Sequence, residues 1–583
     1  MTPRMKKFLT SSLRGALAWP RLTILVAGAV LGAPLLFYGL LPFGHDVPQH
    51  LQWYKAFRQS FWSGDLYPRW MASANAGLGS PIFFVYGPLP FWIAALLRPV
   101  VPHPLAHRYV LPEFTVAAWM ALVASGWACY LWLRTVVSER PALIAAVLYM
   151  AIPYHLWTDL YVRGDIPECW ALVWMPLVLY FVNRVAAGRP RAGLGLALCY
   201  ALLITSHLFT VLLFSLLPLA YALLAAPRGR RGRVFAKTAA GMALGVGVAA
   251  IYLFTALHQE ANIPASHLTS LPLYHYARNF LAVGGPMVAD WSGFRVRMAW
   301  LTLDTVIVAV CFAAIGWQSS ERRQLVFWAA VCGICLGLML PVSDVIWRQA
   351  PLLQKIQFPW RFNTVLCLGV AAIMAIGLAE LEKRPRTIGV ALPLAAAVFL
   401  VVWGAAYLNI WSQYEKQKSH IADRDSVGLA EDRLRYVWLR WTPQALYTPA
   451  GLQHLGGEPL ASFGNAADIV RVTRFRDRDI ILQTQSARGG RLILRQFYYP
   501  GWTAEDSSGR RLEISPSQPE GLLQVQVPAG DELIHVMLAT DWVERLSRLI
   551  SAASLLAILA AFVVGAWRRR RQNAITKPAE AGA

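Results

Sequence analysis

The chain has 583 residues, of which 56% are hydrophobic and only 15% charged, against roughly 25% charged in an average soluble domain. Apolar runs of about 20 residues, long enough to cross a bilayer, recur along almost its whole length and exclude a soluble globular core. The formal net charge of +22 would suggest nucleic acid in a soluble protein, but the Lys and Arg cluster in short loops between apolar runs. That is the positive-inside pattern of a membrane protein, and no nucleic-acid partner is expected.

Met1 to Arg21 is basic and leads into a long apolar run with no clear small-residue cleavage site, so it reads as an uncleaved first helix and not as a signal peptide. About twelve spans are predicted, at 21–43, 110–133, 141–157, 169–184, 191–206, 207–226, 234–256, 298–316, 324–341, 359–380, 386–408 and 544–567. Arg4, Lys6, Lys7 and Arg14 precede the first span, and Arg134 and Arg140 follow the second. Arg184, Arg189 and Arg191 follow the fourth, and Arg228, Arg230, Arg231 and Arg233 follow the sixth. Arg322 and Arg323, then Lys383, Arg384 and Arg386, mark two later turns, and Arg568 to Arg571 follow the last span. With these spans every cluster falls on one side, the cytoplasm, and both termini lie there. The apolar stretch 81–97 is left over. Counting it as a crossing would put Arg568–Arg571 opposite the N-terminus, and Pro81, Pro88 and Pro90 break helices, so it reads as an interfacial or re-entrant part of the first external loop.

The expected organisation is a polytopic α-helical membrane domain over 1–408 with a first external loop at 44–109, an extracytoplasmic segment at 409–543, a final span at 544–567 and a cytoplasmic basic tail at 568–583. Within the extracytoplasmic segment, alternation at Ile480–Gln485, Arg491–Arg495, Leu522–Val527 and Leu533–Leu538, with turns at Pro500-Gly501 and Ser508-Gly509, predicts a β-sandwich or jelly roll over about 465–540.

The outer loops carry the candidate chemistry. Asp46, in Gly44-His45-Asp46-Val47-Pro48-Gln49-His50, stands just past the first span. It is either a general base for a hydroxyl in a partly dry cleft or the N-cap of a helix starting at Val47-Pro48; the two are not exclusive. His45 and His50 are spaced poorly for a shared metal. Arg69, in Gly64-Asp65-Leu66-Tyr67-Pro68-Arg69-Trp70, is a phosphate holder or a headgroup anchor. The second loop, Tyr154–Glu168, packs His155, Asp159, Arg163, Asp165 and Glu168 between two spans; an Arg163–Glu168 or Arg163–Asp165 pair is the structural alternative to function. His207 sits at the outer end of a hairpin, as a packing residue or a site residue. Arg361, in Phe358-Pro359-Trp360-Arg361-Phe362, starts a helix at the outer surface, where it either holds a phosphate or snorkels. Asp423-Arg424-Asp425 and Asp477-Arg478-Asp479 look like D-x-D metal motifs but are interrupted by Arg and read as solvated charge. The seven cysteines all lie in or beside spans, and Cys332-x-x-Cys335 reads as packing. No P-loop, dinucleotide fingerprint or H-E-x-x-H is present.

These strings carry a resemblance. An acidic residue at the start of a large first external loop, many further spans and a C-terminal extracytoplasmic domain resemble the GT-C glycosyltransferases. More closely, the chain looks like bacterial membrane proteins labelled pyruvoyl-tetrahydropterin-synthase-related. The matching strings are Asp46-x-x-x-His50, Gly64-x-x-Tyr67-Pro68-Arg69-Trp70, Gly77-x-Gly79-x-Pro81 with Tyr86, Tyr161-x-Arg163-Gly164 with Glu168, His207, and Phe358-Pro359-Trp360-Arg361-Phe362. Tyr498-Tyr499-Pro500-Gly501-Trp502 resembles the β domain of lipoteichoic-acid-glycosylating proteins. The resemblance implies a GT-C-like fold and sugar transfer from a polyprenyl-phosphate-linked donor to a glycan, lipid or protein acceptor outside the cytoplasm of a bacterial inner membrane. Asp46 would be the catalytic base. Arg163, Arg361 or Arg69 would hold the phosphate, and His50, Tyr67, Tyr86, Tyr161, Glu168, His207 and Trp360 would complete the substrate site. Pterin synthases are soluble zinc enzymes with a His cluster that is not evident here, and no acidic pair matches the D-x-D of the metal-dependent GT-C branch. No cofactor is therefore expected. The alternatives are a transporter or flippase for lipid-linked sugars, for which Asp304 is the rare mid-span acid, and a non-catalytic scaffold of envelope glycan assembly.

Overall fold

The computed structural model describes residues 19–39, 44–101, 111–263, 274–281, 289–383, 391–421, 449–465 and 467–575. The string Asp423-Arg424-Asp425 and the N-terminal basic cluster lie outside them. Among the described residues, eight helices are long and apolar enough to cross a membrane: Pro112–Leu133, Glu139–Arg163, Ile166–Ala186, Leu208–Ala225, Gly293–Gly316, Arg322–Met339, Pro359–Lys383 and Trp542–Gly565. The stretch Pro359–Lys383 is 83% buried and Trp542–Gly565 only 11%. The first is thus the axis of the bundle, and the second runs along its edge with Leu549, Leu556 and Val563 turned outward.

Other predicted spans depart from straight helices. The first is broken into Pro20–Leu31 and Ala33–Tyr38, where Pro34 removes a backbone donor. The fifth is the short helix Ala192–Ser206, and 386–408 falls largely within Ala391–Ile421. The predicted span 234–256 is a bent pair, and its two limbs meet at 71°. A bend frees backbone groups that a dry interior must satisfy. Here Ile251 N donates to Ser551 Oγ at 2.7 Å, and Ile251 O accepts from Arg69 Nη2 at 2.6 Å. The segment 81–97 contains a 3-10 turn at Ile82–Phe84 and the nine-residue helix Leu89–Leu97. At 1.5 Å per residue that helix is too short for a core of about 30 Å.

The C-terminal segment holds nine strands: β1 Ala461–Phe463, β2 Ile469–Arg476, β3 Asp479–Ser486, β4 Gly490–Phe497, β5 Trp502–Glu505, β6 Arg511–Leu512, β7 Ile514–Pro516, β8 Leu522–Val527 and β9 Gly530–Leu538. They form two antiparallel sheets, ordered β1-β4-β8-β7 and β2-β3-β9-β5-β6. Leu482 and Val536 from one sheet and Leu492, Leu494 and Val525 from the other share an apolar core.

That core also takes in Trp70, Leu78 and Phe84 of the segment between the first helices and Pro112–Leu133. Gln496 enters the loop: its Oε1 accepts from Trp70 Nε1 at 2.9 Å, and its Nε2 donates to Ala72 O at 3.2 Å and Gly77 O at 2.7 Å. Phe497 N donates to Leu78 O, and Asp477 Oδ1 accepts from Ala72 N at 2.9 Å. The residues of Asp477-Arg478-Asp479 go to separate partners. Asp477 holds the loop, Arg478 reaches Glu544, and Asp479 pairs with Arg474 and His535. They form neither a metal motif nor simple solvated charge.

Arg69 and Glu544 lock the three parts together. Arg69 Nη1 lies 2.8 Å from Glu544 Oε1, with both side chains 1% exposed. Arg478 and Arg548 join the same carboxylate at 3.3 and 2.6 Å. Removing one member of a buried ion pair costs about 3–5 kcal/mol because the other is left uncompensated. Glu544→Ala is therefore expected to lower the thermal unfolding temperature of the purified protein sharply, and Glu544→Gln less so.

Candidate functional site

The outer ends of several helices converge on Arg163. It closes a π-helical stretch, Tyr154–Arg163, that continues the helix Glu139–Ala151. A π-turn rotates the residues after it relative to an α-helix, and here Asp159 and Arg163 both face the protein interior. Gly164 follows at φ +63, turning the chain so that Asp165 caps the next helix, Ile166–Ala186, by accepting from Glu168 N at 3.2 Å. Arg163 Nη1 lies 2.5 Å from Asp159 Oδ1 and 2.6 Å from Glu168 Oε2, and its Nη2 lies 2.5 Å from Asp165 Oδ2. Both structural pairs foreseen for this loop form at once, and Asp159 joins them. Glu168 Oε1 also accepts from Tyr154 Oη at 2.8 Å and from Thr364 Oγ1.

Asp46 is brought to this hub by backbone. His45 N donates to Val162 O at 3.0 Å and Asp46 N to Arg163 O at 2.8 Å, so the start of the first loop is laid along the end of the π-helix. Gly164 permits the approach: a Cβ there would lie 1.9 Å from Val47 Cγ2. Asp46 does occupy the N-cap position of Val47–Trp62, but its side chain makes no capping hydrogen bond. Its carboxylate turns toward Arg163, with Oδ2 3.5 Å from Nε, and stays 33% open while Arg163 is 2% open. Burial among the surrounding chain pushes the Asp46 carboxyl above the ordinary carboxylate range, with Arg163 opposing.

One turn on, His50 faces the same way. Its Nδ1 sits 3.2 Å from Gly164 O, which requires the proton there, so Nε2 accepts from Tyr86 Oη at 2.7 Å. His207 separates the helices Ala192–Ser206 and Leu208–Phe214 in extended backbone. Its Nδ1 meets Thr210 Oγ1 at 2.8 Å, and its Nε2 lies 3.9 Å from Asp165 Oδ2. Burial holds the His207 imidazole below its usual range, while Asp165 and Glu168 pull upward. Burial would raise Asp165, but Arg163, His207, His50 and Arg361 together hold it well below the usual carboxylate range.

Arg361 is 8% exposed. Its guanidinium lies over Phe209 at 4.6 Å and Phe358 at 5.1 Å, and Nη1 donates to Ile356 O at 3.1 Å. Nε has no partner, and among the described residues no carboxylate stands within ion-pair distance. Trp360, beside it, lies 5.2 Å from the Arg163 guanidinium.

The residues nominated from sequence therefore divide. Asp46, His50, Tyr86, Arg163, Glu168, His207, Trp360 and Arg361 form one constellation. Arg69 and Tyr67 do not belong to it: Tyr67 lies 4.4 Å under Arg69, whose partners are Glu544 and the broken span. Tyr161 donates to Leu31 O at 2.7 Å and packs near Tyr414, a fastening of the first span. His155 bonds Tyr149 O at 3.0 Å inside the core, and His45 meets Phe294 edge to face. Asp304 accepts from Trp403 Nε1 at 3.0 Å and makes no ion pair among the described residues. Asp159 and Asp165 were named only as charges of the second loop, and Tyr154 and Thr364 were not named as site residues. The signals were there: Asp159 lies four residues before Arg163, and Thr364 three after Arg361.

One grouping of potential ligand side chains is not visible in the sequence. Asp165, Glu168 and His207 each offer one ligand atom, and these lie within 4.8 Å of one another. Their separation in sequence hides this, because the three come from the two ends of a turn and from a distant helix break.

Gly164→Ala is expected to destabilise the fold, since the positive φ alone costs a side chain about 1–3 kcal/mol and the clash with Val47 adds to it. Val47→Ala should recover the clash part in the double variant, which a double-mutant cycle of unfolding temperatures will read.

A family model described as 6-pyruvoyl-tetrahydropterin synthase related domain, membrane protein, matches residues 83–416. No curated protein matches the chain.

Proposed function

The chain belongs to the 6-pyruvoyl-tetrahydropterin synthase related family of membrane proteins, and from that footing we propose that it is an inverting glycosyltransferase of GT-C type. Its donor is a polyprenyl-phosphate-linked sugar, and its acceptor is a glycan, lipid or protein outside the cytoplasm. In this reading the chain crosses a bacterial inner membrane twelve times with both termini cytoplasmic, and its paired sheets are an extracytoplasmic β-sandwich. One observation carries the chemistry: an open, uncapped carboxylate, Asp46, shares a constellation with a buried guanidinium, Arg361, that has no carboxylate of its own among the described residues.

Each group has a task. The acceptor hydroxyl gives its proton to Asp46 while its oxygen bonds to the anomeric carbon, and the carbon–oxygen bond to the phosphate breaks on the opposite face. The leaving phosphate keeps the bonding electrons and is held by Arg361, the cation still free to pair. Arg163 is saturated by acids, so it positions Asp46 and does not grip the phosphate. A base raised above the ordinary range by burial is the stronger proton acceptor at neutral pH.

Burial that raises Asp46 also makes its ionised form a cost to the fold. The folded-state value lies above the ordinary carboxylate value, so the folded chain holds the proton more tightly, and stability contributed by this group falls as pH rises through that window. Asp46→Asn is thus expected to abolish sugar transfer while leaving the unfolding temperature unchanged or higher; full transfer by this variant would overturn the mechanism. The wild-type rate should fall on the acid side as Asp46 takes up its proton, read from a pH–rate profile with a radiolabelled lipid-linked sugar. Arg361→Gln should lose donor binding, with Arg361→Lys recovering part of it. Movement of labelled lipid across vesicles without transfer would instead favour a flippase.

A further inference from the structure

The final helix carries a group of cations that the transfer chemistry does not use. Three guanidiniums meet Glu544 on Oε1: Arg69 Nη1 at 2.8 Å, Arg548 Nη2 at 2.6 Å and Arg478 Nη1 at 3.3 Å. Oε2 receives Arg478 Nη2 at 3.4 Å. Among the described residues no other carboxylate stands within ion-pair distance of these three. Two further acids lie close by and are engaged elsewhere. Asp65 Oδ1 accepts from Tyr67 N at 3.0 Å, and Asp477 Oδ1 accepts from Ala72 N at 2.9 Å. Burial pushes both carboxyls above the ordinary range, which works against their ionised forms. A guanidinium cannot shed its proton, so one paired carboxylate answers three permanent cations, and the surplus calls for an anion.

The cluster is open on one side. Arg69 is sealed in, but Arg548 is 50% exposed and Arg478 19%. Arg478 Nε is itself buried and has no hydrogen-bond partner. The surroundings say which anion fits. Leu555, Leu556 and Leu559 follow Arg548 at seven, eight and eleven residues, the spacing of one helical face. They are 48%, 64% and 59% exposed, inside the span Trp542–Gly565. The stripe runs about 16 Å from the guanidinium at 1.5 Å per residue. A free phosphate makes no use of such a stripe, whereas a lipid with its phosphate on the arginines lays its acyl chains along it.

We propose that Arg548 and Arg478 bind the phosphate of one anionic phospholipid, with its acyl chains on Leu555, Leu556 and Leu559. The phosphate answers the cations that Glu544 leaves over. It also ties the final helix to the paired sheets, because Arg478 lies in the turn between β2 and β3. The inference stands on this cluster and not on the transfer reaction.

The test uses the full-length protein, delipidated in detergent and returned to nanodiscs of phosphatidylcholine alone or mixed with phosphatidylglycerol. Phosphatidylcholine carries the same phosphate with its charge cancelled by choline. Native mass spectrometry should find one phosphatidylglycerol retained per chain in preference to phosphatidylcholine, and the unfolding temperature should be higher in the mixed discs. Arg548→Gln should cut that preference by about tenfold, while Arg322→Gln, in a cluster predicted to face the cytoplasm, should keep it. Where Arg548→Gln fails to fold, a benzophenone side chain in place of Leu556 decides: it should crosslink phosphatidylglycerol ahead of phosphatidylcholine. Equal retention of the two lipids, a preference unchanged in Arg548→Gln, one lost equally in Arg322→Gln, or no preferential crosslink would each overturn the site. A rise in unfolding temperature reproduced by inorganic phosphate alone would overturn the lipid assignment.

Discussion

One end of the helix bundle is organised by one buried guanidinium. Arg163 has no exposed surface to speak of, so its charge must be answered by protein, and four carboxylates from two loops and a helix end do so. That demand sets the geometry around it. A π-helical stretch places Asp159 and Arg163 on one side, Gly164 turns the chain, Asp165 caps the next helix, and Glu168 is drawn back against Tyr154 and Thr364. Asp46 is the last and loosest of the four. It is held through backbone contacts and left partly open.

The Arg residues nominated as phosphate holders show how the same side chain takes different work from its surroundings. Arg69 donates to Ile251 O in the first turn after the bend and pairs with the carboxylate of the final helix, so it is consumed by the fold. Arg163 is consumed by its acids. Arg361 lies among aromatic rings with a single backbone acceptor, and its unspent charge singles it out. Sequence proximity does not sort these cases: Arg163 is answered mostly by acids two to five positions away, whereas Arg69 is answered by Ile251 and Glu544, far along the chain.

Much of the architecture was legible in the chain. Apolar length marked the long helices, and alternation at Ile480, Arg491, Leu522 and Leu533 marked β3, β4, β8 and β9. The short strands β5 to β7 and the Arg-rich β2 gave no such signal, since β2 exposes both faces in part. The bend after Val248 has no mark in the sequence because the run is continuously apolar, and Ser551, from the distant final helix, takes the Ile251 N–H that the break frees. At the site, Asp46, Arg163 and Arg361 stood out as charge beside apolar runs. Tyr67 and Trp70 stood out equally, but the second sits in the core of the paired sheets and the first beneath Arg69. An aromatic, glycine-rich loop reads alike whether it lines a pocket or anchors a domain.

The Gln496 contact has a bearing on biosynthesis. Trp70 and its hydrogen-bond acceptor are 426 positions apart, so nearly the entire polypeptide must emerge before the first loop reaches its final shape. Contacts of such long range form late. During translation that loop therefore waits, its tryptophan uncovered, until the last segment has been delivered to the same side of the bilayer. A chain halted before that point would carry all the groups around Arg163 yet lack the clamp that seats the loop beside them.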